Sequence, residues 1–481
     1  MGIVTSYARA LAVREGRAQP IATVRHLHLS ARPMVFIPLK LAGEAAAPLG
    51  AMVGTDPADP RLLVVPQPRN RDLRFAFMAE LAQIMLPYIE GFATATETVT
   101  GRNERERYLD APQILVPGGR AIEFVRLLGR STRFRRTDGP YPVDPSVPVL
   151  GQWLTFLYER TEFAGSSALV PVTEALALHW ATGQSPLEDA NLATLLAWIS
   201  PPPGLTGQEA AAAAENPLDW PPAGPDTDPG FDAQVLQHAI RAYDASGSPA
   251  LVRQALRTQL EPTWRLMWQA VDQLRGLPEA ASVAERWAFD RDQYTREVAR
   301  LADGGPPRGR RDQAGPAAIR LWDMEAAQQT YDAQRAYDDP LVMTEHRATG
   351  KAFTGEAVHV DADRRILLPG GKKPVPRPLV TVRTGDPVRL TPGKKVFSVH
   401  RRKQSAEIVE IDGDIVVVQL NDQLAKGAGV PTAGDAVCFT ELDLGGRIRP
   451  GFPTGEETPW THGGPPAAYV PTDEDAVEAW S

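Results

Sequence analysis

The chain has one cysteine, few lysines and no long apolar run. Because Cys438 is the only cysteine, neither a disulfide nor a Cys-based metal site can form within one chain, which suits a reducing compartment. No apolar segment approaches the ~20 residues that a membrane helix needs. Arg9 and Arg14 interrupt the apolar stretch near the N-terminus, which argues against an export signal. We therefore expect a cytoplasmic protein with no membrane partner.

Catalytic signatures are also missing. The sequence contains no Gly-x-x-x-x-Gly-Lys-Ser/Thr loop for nucleotide phosphates and no Gly-x-Ser-x-Gly nucleophile motif. His26 and His28 would share one face of a predicted strand, but no third metal ligand accompanies them. We interpret both histidines as hydrogen-bonded side chains and expect no metal and no cofactor. A non-enzymatic protein is favoured over an enzyme with a site in the N-terminal α/β part.

Lysine is rare and unevenly distributed. It makes up 8 of the 51 Lys and Arg residues, and seven of the eight lie at or after Lys351. Lysine suits non-specific phosphate contact because it is a mobile, hydrated point charge. The alternative is that these lysines only protect exposed strand edges from pairing with other chains.

Basic charge is concentrated in residues 364–403. This segment has twelve Lys and Arg residues and one acid, Asp386, so its net charge is +11 in a chain whose total is −8. Such a concentration is destabilising through self-repulsion and usually indicates an anionic partner. We predict that the segment supplies nine phosphate contacts and one aromatic ring for base stacking. The predicted site residues are Lys372, Lys373, Arg377, Arg389, Lys394, Lys395, Arg401, Arg402 and Lys403, with Phe397 as the ring.

Pattern and composition divide the 481 residues into several regions. Amphipathic segments between short apolar runs, followed by a change to a period of two, predict an α+β multidomain protein. Apolar seams that begin at Leu260 and Trp287 repeat at 4-3-4-3 spacing, which predicts two antiparallel helices packed on each other. The regions are a mixed α/β domain (1–145), a helical region (146–200), a Pro-rich linker (201–230), a helical hairpin region (231–302), a second linker (303–316), a long helix (317–349), a basic β-barrel (350–445) and an acidic Gly/Pro-rich tail (446–481).

The C-terminal region predicts a small barrel. Alternating apolar and polar residues after Gly355 predict about six to eight short strands, which indicates a closed β-barrel of SH3-like or OB-like type. Residues 411–414 (IDGD) lie between two such strands and are a strong hairpin signal. Phe397 lies on one of these strands, where it either stacks on a base or fills the barrel core.

Two similar turns precede strands of the barrel. Residues 368–373 (LPGGKK) and 391–395 (TPGKK) each place glycine before paired lysines. Glycine leaves the backbone N–H groups accessible and lysine supplies charge, which together suit a phosphate contact. If the two following strands run in the same direction, both turns line one rim of the barrel. The alternative is two ordinary β-turns with exposed lysines.

A long polar helix precedes the basic barrel with its hairpin AEIVEIDGDIVVVQL (residues 406–420). In this order of elements, residues 317–442 resemble the stalk and accessory β-barrel of UPF1-like superfamily 1 helicases, but the motor motifs of that family are missing. The resemblance implies a barrel that faces nucleic acid and a separate ATPase or helicase subunit as partner. It transfers no catalytic residue.

The resulting hypothesis is a non-enzymatic accessory or scaffold protein that binds the phosphate backbone of DNA or RNA. It would act with a separate ATPase or helicase in a bacterial multi-gene system of the defence type. One alternative is a scaffold whose basic barrel docks an acidic partner or the chain's own acidic tail. Another is an enzyme with its site in the N-terminal α/β part.

Overall fold

The structure is a computed structural model and describes residues 2–44, 47–101, 104–217, 219–309, 314–424, 429–445, 449–451 and 470. The helices are α1 (Ile3–Glu15), α2 (Arg71–Glu90), α3 (Gly119–Thr132), α4 (Ser146–Thr161), α5 (Val172–Ala177), α6 (Leu192–Ile199), α7 (Gly207–Ala214), α8 (Pro229–Phe231), α9 (Gln237–Ser246), α10 (Ala250–Arg275), α11 (Val283–Ala302), α12 (Ala314–Asp338) and α13 (Pro340–Ala348). The strands are β1 (Gln19–Pro20), β2 (Met34–Lys40), β3 (Pro48–Gly54), β4 (Arg61–Val64), β5 (Thr96–Val99), β6 (Arg105–Tyr108), β7 (Ile114–Val116), β8 (Leu169–Pro171), β9 (Trp180–Ala181), β10 (Ala352–Asp361), β11 (Arg365–Ile366), β12 (Val375–Pro376), β13 (Leu379–Arg383), β14 (Lys395–Ser398), β15 (Ser405–Asp412), β16 (Ile415–Leu420) and β17 (Ala436–Thr440).

The chain forms two compact units. The sheet unit contains Ala8–Pro20 and Arg25–Met324, and the barrel unit contains Met1–Tyr7, Ile21–Val24 and Glu325–Pro450. The predicted α+β multidomain fold with a C-terminal β-barrel is confirmed. Within the described part of the chain, no helix is both long and apolar enough to cross a membrane.

A five-stranded mixed sheet organises the sheet unit, in the order β4-β3-β2-β7-β8. β2, β7 and β8 are parallel, whereas β3 and β4 complete the sheet as antiparallel strands. The central strand β2 (MVFIPLK) is almost continuously apolar because both faces of the sheet are covered. β8 lies in the stretch 146–200, which the sequence predicts as helical, so this stretch is part of the same sheet as the N-terminal strands.

The two faces of this sheet bury separate cores. Alternate residues of β2 point to opposite faces, so Val35 and Ile37 join one core and Met34 and Phe36 join the other. The apolar seam of α10 packs into the first core and that of α11 into the second. The structure thus differs from the predicted helical hairpin, because the seam of α10 packs on the sheet in the first core, whereas Trp287 and Tyr294 of α11 belong to the second core.

The barrel unit is built around a closed antiparallel barrel of six strands, in the order β10-β13-β16-β15-β14-β17. The strands predicted at residues 379–383 and 415–420 match β13 and β16, while residues 388–390, also predicted as a strand, have no regular structure. Val380, Val416 and Phe439 are among the side chains that fill the barrel. On the outside, Ala336 of α12 and Met343 of α13 pack against the barrel strands.

Candidate nucleic-acid interface

The barrel has two chemically different ends. Because neighbouring strands are antiparallel, the connections between strands alternate between the two ends. We call the end with residues 361–378, 399–404, 421–424 and 429–435 the hairpin end, since it carries the small β11–β12 hairpin. The far end holds residues 349–351, 384–394, 412–414 and 441–443. All the predicted contacts lie at or near one of these ends.

The two Gly-Lys-Lys turns lie at opposite ends of the barrel. Lys372 and Lys373 belong to the turn of the β11–β12 hairpin, which precedes β13. Lys394 and Lys395 precede and begin β14 at the far end. The two turns would share a rim only if β13 and β14 ran in the same direction, but they run in opposite directions. The condition for a shared rim is therefore not met, and the two turns lie on different rims.

The β11–β12 hairpin extends the hairpin end and presents lysines. Arg364 anchors its base by donating to the backbone oxygen of Arg377 and to Gln419 Oε1, each at 2.9 Å. Gly370 has a φ of +76°, which the tight turn requires and glycine adopts without steric cost. Beyond it Lys372 and Lys373 are exposed, and neither forms an ion pair with a described acid.

The connection between β14 and β15 brings three more cations to the hairpin end. Arg402 pairs with Asp338, whose side chain is fully buried. The charge of Arg401 contributes to lowering the pKa of Asp435, after the hydrogen bonds that Asp435 accepts from Thr432. Lys403 is exposed and has a left-handed φ of +74°, which is uncommon for a residue other than glycine. Among the described acids, none forms an ion pair with Lys403.

Cations at the far end face acids of the barrel unit itself. Lys394 Nζ lies 3.1 Å from Glu441 Oε2, and Lys351 Nζ lies 3.9 Å from the other oxygen of Glu441. Arg347 donates two hydrogen bonds to Asp386, at 2.8 and 2.9 Å. These contacts neutralise much of the positive charge that the sequence places near Lys394.

Phe397 and Arg389 do not form a shared surface with the hairpin-end lysines. Phe397 is 9% exposed, and Lys395 Nζ lies 4.8 Å from its ring centre. A nucleic-acid base therefore has no open ring face to stack on, and the predicted stacking role of Phe397 does not fit this arrangement. Arg389 is exposed at the far end, where its backbone N–H donates to Gly350 O at 3.1 Å.

The charge of the two ends differs in sign. Among the described residues of the hairpin end, eight are Lys or Arg and four are Asp. The far-end connections contain three Lys or Arg and five acids, and Lys395 at the start of β14 adds a fourth cation. Antiparallel connectivity has thus divided a basic stretch that is continuous in sequence, and only one end keeps an excess of positive charge.

Sequence reasoning left Arg364 and Arg365 out of the predicted contacts. The structure places both at the base of the β11–β12 hairpin, Arg364 as its anchor and Arg365 as an exposed cation. Their membership of the basic segment 364–403 was an available signal. The sequence alone does not show that Arg364 is bound to Gln419 whereas Arg365 is exposed.

The two N-terminal histidines lie in the sheet unit. The ring of His28 stacks on Trp287 with 4.1 Å between ring centres, and burial lowers the pKa of His28. The backbone N–H of His26 donates to His179 Nε2 at 3.0 Å. Within the described ranges, no group of three or more His, Cys, Asp or Glu side chains is arranged to hold a metal ion.

Comparison with known proteins assigns no family. No protein-family model matches the chain, and neither a curated protein nor a solved structure matches it. The charge and geometry of the barrel ends are therefore the basis for interpreting the interface.

Proposed function

We propose that the chain binds the phosphate backbone of nucleic acid through the hairpin end of its barrel, with little readout of base sequence. The observation that carries this proposal is the segregation of charge, because the described residues of the hairpin end include eight Lys or Arg and four Asp, while acids outnumber cations at the far end. A polyanion binds where cations exceed acids, since it gains affinity by releasing counterions from the phosphates that those cations neutralise.

Lys372, Lys373 and Lys403 are the central contacts in this proposal. All three are exposed, and no described acid pairs with them, so a phosphate need not displace an internal ion pair. Arg402 is already bound to the buried Asp338, so we assign it a supporting role. The exposed Arg365 adds a further cation at the hairpin base.

The geometry of the hairpin end suits an extended nucleic-acid strand. The β11–β12 hairpin precedes β13, and the loop with Lys403 precedes β15. β16 lies between β13 and β15, so two strand spacings of about 4.8 Å separate the two connections at their bases. A phosphate backbone that crosses this end would meet both groups of lysines within a few nucleotides.

Fluorescence anisotropy with labelled single-stranded and double-stranded 20-mers tests the proposal on the full chain. The variant K372E/K373E/K403E should bind more than tenfold more weakly than the wild type. Its plot of log affinity against log salt should be shallower by about 2 to 3, because each phosphate contact contributes about 0.7–0.9 to the slope.

The matched control is R389E/K394E/K395E, which makes the same charge change at the far end. It should stay within threefold of the wild type. Equal losses in both triple variants would mean that net charge alone drives binding, and the assignment to the hairpin end would fail.

The rival proposal is that the basic end docks the acidic tail or an acidic protein. Deleting residues 456–481 should then raise nucleic-acid affinity if the tail competes, and leave it unchanged if it does not. A separate ATPase or helicase partner and an SH3-like or OB-like classification of the barrel stay predictions.

A further inference from the structure

The sheet unit contains a cationic cavity of about 250 Å³, which we call the Arg pocket. Arg69, Arg71 and Arg74 line it from the start of α2, and Arg135 lines it from the segment after α3. Its remaining walls include the apolar side chains of Phe75, Met78 and Leu128. None of the described residues that line the pocket is acidic.

The first turn of α2 and the segment after α3 position the arginines of the pocket. Asn70 caps α2 by accepting hydrogen bonds from the backbone N–H groups of Asp72 and Leu73. Arg71 and Phe75 are four residues apart, so they lie on the same face of this helix. The Arg135 side chain is held in place where its Nε donates to Ser131 O at 2.8 Å.

Two guanidinium groups share the ring of Phe75. The Arg71 guanidinium carbon lies 4.6 Å from the ring centre and that of Arg135 lies 5.3 Å from it. Cation–π contact holds both groups, but they repel each other. Burial, and next the charge of Arg71, lower the pKa of Arg135. An anion between the two groups would relieve this repulsion.

The acids near the pocket compensate only part of its charge. Glu44 pairs with both Arg69 and Arg74, at 3.4 and 3.2 Å, and Asp72 pairs with Arg71 at 2.9 Å. Two acids therefore face four arginines. Arg135 forms no ion pair within the described part of the chain, so its guanidinium nitrogens other than Nε remain available to an anion.

We propose that the Arg pocket binds a phosphate monoester, with the phosphate between Arg71 and Arg135 and the organic group against Phe75, Met78 and Leu128. A phosphate monoester carries about −1.5 to −2 charges at pH 7, which matches the uncompensated charge of two arginines. Arginine presents paired N–H donors that fit phosphate oxygens. The apolar wall can contact the organic group of an ester, and inorganic phosphate cannot make this contact. The volume of the pocket suits a small ester.

Isothermal titration calorimetry of the full chain tests this site with adenosine monophosphate, glucose 6-phosphate and inorganic phosphate as probes. Replacing Arg135 by alanine (R135A) should weaken binding of the preferred ester at least tenfold. The matched control Arg61→Ala removes an exposed arginine that does not line the pocket, and it should leave affinity within twofold. Absence of saturable ester binding by the wild type, or unchanged affinity in R135A, would overturn the proposal.

A second pair of variants keeps the test decisive if R135A does not fold. Arg135→Lys preserves the charge but loses the paired donors, so it should still lose affinity several-fold. Met78→Leu changes the shape of the apolar wall but keeps the Phe75 ring that holds both guanidinium groups, so it should weaken ester binding while leaving inorganic phosphate unaffected. Equal affinity of the wild type for inorganic phosphate and for both esters would overturn the assignment to an ester.

The phosphate could belong to a free small molecule or to the end of a nucleic acid. Comparing 5′-phosphorylated with 5′-hydroxyl oligonucleotides in the K372E/K373E/K403E background separates these sources, because barrel binding is weakened there. Tighter binding of only the phosphorylated oligonucleotide supports a terminal phosphate, and tighter binding of only the free ester supports a small molecule. The pocket lies within the sheet unit. Loss of ester binding in a pocket variant is therefore measured separately from loss of nucleic-acid binding in a barrel variant.

Discussion

At the hairpin end of the barrel, lysines stand exposed on turns without ion-pair partners among the described acids, as at Lys372 and Lys373. In the sheet unit, arginines lie half-buried or buried against aromatic rings and carboxylates. Arg160 is an example, since it pairs with Asp290 and its guanidinium carbon lies 4.6 Å from the ring centre of Phe163. The same charge therefore serves as a mobile surface group in one unit and as a fixed internal group in the other.

This difference follows from the chemistry of the two side chains. Lysine is a compact, strongly hydrated cation on a flexible stem, whereas arginine is planar, less hydrated and able to form paired hydrogen bonds and ring contacts. A surface of lysines suits contact with an irregular polyanion. An arginine pocket suits one small anion of defined geometry. The comparison also implies that the two units should respond differently to mutation, salt and pH.

Removing Asp290 should give the largest effect on stability. Asp290 is fully buried and accepts hydrogen bonds from Arg160, from Ser166 Oγ at 2.8 Å and from the backbone N–H of Ser167 at 2.7 Å. Asp290→Ala leaves the buried Arg160 charge uncompensated, so we expect a loss of about 3–5 kcal/mol in the free energy of unfolding. Urea unfolding followed by tryptophan fluorescence measures it, since residues 350–445 contain no tryptophan.

The control for Asp290 is Asp72→Ala, which removes an exposed carboxylate and should change the free energy of unfolding by less than about 0.5 kcal/mol. A comparably small effect for Asp290→Ala would show that the sheet unit does not depend on internal arginine pairs, and the contrast between the units would weaken.

Salt concentration should change the binding affinities of the two proposed anion sites to different extents. Raising NaCl from 50 to 200 mM should lower nucleic-acid affinity at the hairpin end by roughly 10²-fold, as expected for about five phosphate contacts. Affinity of the Arg pocket for its ester should fall less than tenfold, because half-buried charges are screened less. Anisotropy and calorimetry at both salt concentrations measure the two responses, and equal responses would contradict the distinction.

Local pattern predicted much of the barrel and less of the sheet unit. Burial alternates along β13 and β16 because one side of each strand faces the barrel core. The sequence of β13 (LVTVR) shows part of this period of two, whereas five of the six residues of β16 (IVVVQL) are apolar. The seams of α10 and α11 were equally visible, but an apolar seam does not specify whether it packs on a helix or on a sheet. The short strand β8 has three residues, too few to show a period.

The sequence shows which segment is basic, but it does not show which residues of that segment share a surface of the folded barrel. Residues 364–403 are continuous in sequence, yet antiparallel connections send Lys373 and Lys394 to opposite ends of the barrel. The partners that neutralise part of the charge, Glu441 and Asp338, lie outside the stretch. The Arg pocket combines Arg71 and Arg135, which are far apart in sequence and meet only through packing of the helices.

Exchanging the two cation types tests whether charge or hydrogen-bond geometry determines binding at each site. K372R/K373R/K403R keeps the charges of the hairpin end and should leave nucleic-acid affinity within about twofold, because backbone contacts there need charge more than geometry. R71K/R135K in the Arg pocket should weaken ester binding roughly tenfold, because lysine lacks the paired donors. Anisotropy measures the first effect and calorimetry the second. A large loss in the lysine-to-arginine variant would indicate a more specific contact than proposed.

The smallest expected effect is on stability, and it concerns the ion pair between Arg347 and Asp386 in the barrel unit. Burial alone would raise the pKa of Asp386, but hydrogen bonds from Arg347 and from the backbone N–H of Thr354 outweigh burial and hold this pKa below its usual value. A lowered pKa stabilises the fold above the unfolded-state pKa of about 3.9, and this stabilisation is lost as the pH falls through the folded-state pKa. For a partly exposed pair we expect at most about 1 kcal/mol.

Hydrogen exchange of β10 measures this loss, because the Thr354 N–H donates to Asp386 at 2.8 Å. Comparing the wild type with Asp386→Asn at the same pH cancels the intrinsic pH dependence of exchange. The wild type should be better protected at pH 6, and this advantage should decrease as the pH falls below the unfolded-state pKa of about 3.9 and Asp386 becomes protonated. Asp414→Asn, which removes an exposed acid 4.0 Å from Arg383, should not change protection over this pH range. If the advantage of the wild type did not decrease on acidification, the Arg347–Asp386 pair would not be what stabilises β10, and internal arginine pairing would be a property of the sheet unit alone.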